Sequence, residues 1–120
     1  MSWRCAYDLA NDFVRVQAEG HLSEDELVLG VTCITVMPDF HSDIRVLFDF
    51  FHVSSVAVHA DALVVLARHP AFSSKSKRAF VTKRGMIRGF FGFHEVYSSP
   101  GPPRVFDSSH EAIAWLNEDR

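Results

Sequence analysis

The sequence predicts an α/β fold with a largely parallel sheet, and three observations carry that prediction. Stretches of strand character alternate with stretches of helical character along most of the chain. Two Ser-x-x-Glu steps, Ser23 to Glu26 and Ser108 to Glu111, mark helix starts at positions the alternation requires. The opening residues read as a hairpin, which adds an antiparallel edge to the parallel strands.

The elements follow in order. Trp3, Cys5 and Tyr7 alternate with Arg4 and Asp8, the pattern of a half-buried strand. Ala10, Asn11 and Asp12 supply turn chemistry, and Phe13 to Gly20 reads as the second strand. The first capping box then opens a helix, with Leu22 and Leu27 at the flanking staple positions. Val28, Val31, Thr32, Ile34, Thr35 and Val36 favour strands instead. The cap, the shared face of Leu27, Val31 and Ile34, and the stop at Pro38 decide for the helix.

Arg45 to Phe51 is a mostly apolar run, as expected of a central strand covered on both faces. Val56 to Arg68 reads as a second helix capped by Ser54 or Ser55, with Pro70 just beyond it. Ser73 to Arg78 is a polar, basic loop, and Ala79 to Thr82 a short strand. Gly85 to Tyr97 reads as a third helix, weakened by Gly89 and Gly92 by about 1 kcal/mol each relative to alanine. After the rigid loop Ser98 to Pro103, Arg104 to Phe106 forms a last strand and the second capping box opens a terminal helix through Trp115 and Leu116. The expected order is β-β-α-β-α-β-α-β-α, in one domain over residues 1–120.

Composition narrows the function. A length of 120 residues suits one core, and 48% hydrophobic with 22% charged residues is ordinary for a globular protein. A formal net charge of -3 gives no electrostatic footprint for nucleic acid. Cys5 and Cys33 lack metal-type spacing and follow no signal peptide, so reduced, packed thiols and a cytoplasmic location are expected. The longest apolar stretch, around Leu27 to Met37, is too short to span a bilayer, which takes about 20 residues.

Three segments then carry a resemblance. They are Leu47-Phe48-Asp49-Phe50-Phe51-His52-Val53, Phe80-Val81-Thr82-Lys83-Arg84-Gly85-Met86-Ile87-Arg88, and Val105-Phe106-Asp107 followed by Glu111-Ala112-Ile113-Ala114-Trp115-Leu116. In this order the chain resembles the STAS domain, and more closely the SpoIIAA-like group of short, uncharacterised bacterial proteins. The resemblance spans nearly the whole chain. It implies a mixed sheet of about five strands with about four helices largely on one side, and a role in protein association or small-ligand sensing. Regulatory STAS proteins carry an Asp-Ser-Ser-Gly step whose serine is phosphorylated. Ala57-Val58-His59-Ala60 stands there in this chain, so that switch does not transfer.

Several residues are candidates for sites. Thr82, Lys83, Arg84 and Gly85 follow a strand and open a helix, where free N–H groups and two cations would meet an anion. Met86, Phe90, Phe91, Phe93 and Tyr97 make the third helix apolar on more than one face, as in a pocket wall or a dimer interface. Asp49, His52 and His59 flank the loop after the central strand, where α/β folds place ligands. The seven histidines show no metal-binding spacing, and no nucleophile–base arrangement assembles, so neither a metal, a cofactor nor an enzymatic activity is expected. Two functions fit. One is a non-enzymatic regulatory domain, homodimeric and working through protein association with a regulatory partner. The other is a carrier or sensor of a small apolar or anionic ligand, lined by helix 85–97 and held at Lys83 and Arg84.

Overall fold

The computed structural model describes residues 2–38, 40–57, 72–73, 75–83 and 104–118. The elements are β1 (Ser2–Asp8), β2 (Phe13–Ser23), α1 (Glu24–Thr35), β3 (Val46–Ala57), β4 (Arg78–Val81), β5 (Arg104–Phe106) and α2 (Ser109–Leu116). The five strands form one mixed sheet in the order β1-β2-β3-β4-β5. β1 and β2 pair antiparallel, and every later pair is parallel.

Local chemistry sets the hairpin. Asp12 adopts the left-handed region with φ 55°, which Asp tolerates better than most residues. Its N–H donates to the Asp8 carbonyl at 2.8 Å. The Asp8 carboxylate accepts both the Asn11 backbone N–H and its side-chain amide, each at 3.1 Å. Those Asn11 bonds hold the Asp8 carboxyl below its ordinary value.

β2 runs three residues past the expected end at Gly20, because His21, Leu22 and Ser23 pair with Ser55, Val56 and Ala57 of β3. The same pairing corrects the second expected helix. Val56 and Ala57 continue the strand, and Ser54 and Ser55 are strand residues, not caps. The β-branched residues Val53 and Val56 suit that extension. The rest of that expected helix, and the expected helix 85–97, lie outside the described residues.

α1 begins as expected. Ser23 accepts from the Glu26 N–H, and Glu26 accepts from the Ser23 N–H at 3.2 Å, closing the capping box. At α2 the serine half of the second box forms, Ser108 accepting from the Glu111 N–H. The C-terminal end of α2 is met by a cation: Lys77 Nζ donates to the carbonyls of Trp115 and Glu118 at 3.0 and 3.2 Å and lies over the Trp115 ring. The basic segment before β4 is less exposed than its composition suggests, since Ser76 and Arg78 are buried, the guanidinium over the Phe72 ring.

The sheet has apolar residues on both faces. Val14, Val16, Phe48, Phe50 and Phe80 share one cluster with Val31 and Ile34 of α1. Phe13, Leu47, Ala79 and Val81 share another with Ala112 and Leu116 of α2. The two described helices therefore lie on opposite faces, which departs from the expectation of helices on one side. α2 follows the last strand and is no crossover, so the handedness of parallel crossovers leaves its face free.

Two irregularities interrupt β3 against β2. Gln17 pairs with Asp49 but Glu19 with His52, and Gly20 pairs with Val53 but His21 with Ser55. In each case β3 carries the extra residue, the arrangement of a β-bulge. Gly20, opposite the second bulge, has φ 83°, which a residue without Cβ adopts at no steric cost. The first bulge shifts the alternation: Phe48 and Phe50 are buried, Phe51 and His52 are both exposed, and Val53 is buried again.

Within the first cluster the Phe48 and Phe80 rings stack, with centroids 4.6 Å apart and planes 10° apart, and Phe50 closes the group at 5.8 and 6.1 Å. Replacing Phe80 with alanine is predicted to cost roughly 3–5 kcal/mol, the range for deleting a buried ring. Urea denaturation of the F80A variant reads this directly; a loss under about 1 kcal/mol would place the ring outside the core.

Candidate functional site

The carboxyl ends of β4 and β5 meet the middle of β3 and the start of α2 at a cleft of about 310 Å³. Asp49, Phe51, His52, Val81, Asp107, Ser108 and Ser109 line it. In parallel α/β sheets this end of the strands is where ligands bind. The sheet register brings the residues together: Asp49 pairs with Val81, and Val81 with Phe106, so Asp107 arrives one step beyond.

Each lining group has a local reason for its position. Asp49 is half-buried, and its carboxylate accepts the Phe51 N–H at 3.4 Å, a short-range turn bond that steadies the bulge. The bulge turns Phe51 and His52 outward, where their rings meet edge to face at 5.4 Å. Phe51 is 36% exposed. Exposed Lys83 sets its ammonium 5.6 Å from the centre of the Phe51 ring, a cation–π contact. Across the cleft, Ser108 caps α2 and Asp107 precedes it, so a carboxylate sits beside the positive end of the helix dipole. The cleft thus combines two carboxylates, an imidazole, two hydroxyls and an aromatic face.

The expected site residues divide. Asp49 and His52, expected at the loop after the central strand, lie within β3, which runs on to Ala57; Lys83, from the expected anion site, comes against the Phe51 ring between them. Thr82 does not offer a free backbone N–H for an anion, because that N–H donates to the Phe106 carbonyl at 3.0 Å and extends the strand ladder. Its side chain is buried, with Oγ1 unpartnered among the described residues. Arg84, Gly85, Met86, Phe90, Phe91, Phe93, Tyr97 and His59 lie outside the described residues.

Phe51, Val81, Asp107, Ser108 and Ser109 belong to the site and were not singled out as site residues from the sequence. The signal was present. Asp107-Ser108-Ser109 follows a strand and opens a helix, the same placement that nominated Thr82 to Gly85. Among the described residues, no group of three or more His, Cys, Asp or Glu side chains is placed to hold a metal ion, and no helix is long and apolar enough to cross a membrane.

Comparison with known proteins supports the fold. The chain is similar to the crystal structure of an uncharacterised protein of the DUF3478 family, with a SpoIIAA-like fold, from Shewanella loihica PV-4. The TM-score is 0.59 at 15% sequence identity, over 96% of this chain and 92% of that one. No protein-family profile and no curated protein matches the chain. At that identity the likeness concerns the fold, and the fold is SpoIIAA-like.

The cap at the rim of the cleft is predicted to be worth about 1 kcal/mol, the usual cost of replacing an N-cap serine with alanine. The S108A variant should lose that much in urea denaturation, and its amide shifts should concentrate at Ser109 to Glu111 and across the cleft at Asp49 and Phe51. Shifts confined to α2 would separate the helix start from the cleft.

Proposed function

We propose that this SpoIIAA-like chain is a non-enzymatic regulatory domain that works through protein association, and that it pairs with a second copy of itself. The observation that supports this reading is the outer side of α1. Val31 and Ile34 are buried against the sheet, yet Val28, Leu29 and Val36 are 63%, 62% and 73% exposed. Thr32 and Thr35 turn their hydroxyls back onto the carbonyls of Val28 and Thr32, both at 3.0 Å, which withdraws polarity from the same surface. A helix apolar on both sides suits a second apolar partner. An apolar patch of this kind can meet the same patch on a second copy in an isologous pair.

The expected Phe-rich segment, with Phe91 and Met86 as the residues expected to face outward, is the other candidate for the interface. Size-exclusion chromatography with light scattering tests the pairing. A dimer is expected, with L29E and V36E shifting it to monomer while thermal stability holds. A chain that stays monomeric at every concentration contradicts the reading. If only F91E splits the dimer, the interface belongs to the Phe-rich segment and not to α1.

A second reading has its own support in the cleft. A volume of about 310 Å³ lies at the lower end of small-ligand pockets, and Phe51 with Lys83 offers a flat ring and a cation to an aromatic or apolar anion. Titration with benzoate, followed by amide chemical shifts, is expected to perturb Phe51, His52 and Lys83 together in this case. Perturbation scattered over the surface would remove the carrier reading.

A further inference from the structure

Three sulfur-bearing side chains from two parts of the chain meet at the edge of the sheet. Cys5 sits on the edge strand β1; its thiol donates to Met37 Sδ at 3.6 Å, and Cys33 is near enough to bear on its ionisation. Cys33 stands in the last turn of α1, and Met37 lies two residues beyond the end of that helix. The Met37 N–H donates to the Ile34 carbonyl at 3.2 Å, and the Val36 N–H to that of Thr32 at 3.2 Å, so the backbone carrying the thioether is fixed. Cys5 and Met37 pack against the apolar cluster on the α1 face, and all three residues are half-buried.

We propose that Cys5, Cys33 and Met37 form a three-sulfur site for a soft monovalent cation, the cuprous ion being the one this donor set suits. Thiolate and thioether ligands select copper(I). Metal–sulfur bonds of about 2.3 Å in a trigonal plane put the sulfurs about 4 Å apart, close to the separation already present between Cys5 and Met37. Zinc also takes thiolates but closes four ligands in a tetrahedron, and among the described residues no third His, Cys, Asp or Glu joins the two cysteines. Half-burial leaves the sulfurs reachable from solvent at the sheet edge while apolar neighbours keep competing water away.

Binding exchanges protons for the ion. The two S–H bonds break, both protons go to solvent, two metal–thiolate bonds form, and the copper stays cuprous throughout. Burial, with the Cys33 hydrogen bond and charge, pushes the Cys5 thiol up from 9.0 to about 12. The thiol is therefore neutral in the absence of metal, and affinity must rise with pH because each ion bound releases protons. The raised value also has a sign for stability. The neutral thiol is favoured in the folded state, so stability is complete below about 9 and falls as the pH climbs toward 12.

The test is an anaerobic titration of the whole chain with copper(I) held by a chromophoric competitor, with zinc as a control. One equivalent of copper(I) is expected per chain, with zinc failing to displace it. C5S and C33S should each weaken binding by more than the roughly 10–100-fold that loss of an outer-shell partner costs, and M37L by about 10-fold. X-ray absorption of the wild-type copper complex gives a readout that needs no variant to fold, and a first shell of three sulfurs is expected. No binding, a shell of nitrogen or oxygen, or a folded M37L and C33S that bind as tightly as wild type would overturn the site.

Discussion

The stack of Phe48 on Phe80 fixes how β3 lies against β4, and much else depends on it. The two residues are paired in the parallel ladder, and their rings meet almost flat on the α1 side of the sheet. Side chains alternate between faces, so a slip of one residue would send both rings to the wrong side. With that register set, Leu47, Ala79 and Val81 must face α2, and Asp49 must stand beside Val81 where β4 ends. The cleft is a consequence of this constraint. The bulge then does the remaining work, turning Phe51 and His52 outward over the cleft.

Much of this was legible in the sequence. Hairpin, capped α1, central strand, last two strands and terminal helix each follow from alternation, capping boxes and turn residues acting over a few neighbours. The ends of β2 and β3 were not legible, because they are set by pairing with each other: Ser54 and Ser55 look like caps until His21 and Ser55 are seen to be ladder partners, their side chains 2.7 Å apart. The side on which α2 lies was likewise invisible, since no crossover rule applies to a helix that follows the last strand.

The candidate site was half legible. Lys83 was found from its place after β4, a rule that needs only the order of elements, whereas Asp49 and His52 were nominated for a loop and lie within β3. Phe51 was hidden because it closes an apolar run that reads as a strand covered on both faces, yet it is exposed beside the bulge. The sulfur trio was hidden for another reason. Spacing along the chain does not link Cys5 to Cys33 and Met37; they meet only where the end of α1 and the residues just after it pass the sheet edge.

The register of β4 is the claim on which the cleft rests, and proton–proton distances from the Val81 methyl groups in solution NMR test it most directly. The pairing described here predicts cross-peaks from those methyls to Ser109 and Leu47 and none to the Phe50 ring. Cross-peaks to Phe50 in place of Ser109 would mean that β4 is displaced by one residue, with Val81 on the opposite face and the cleft without its floor.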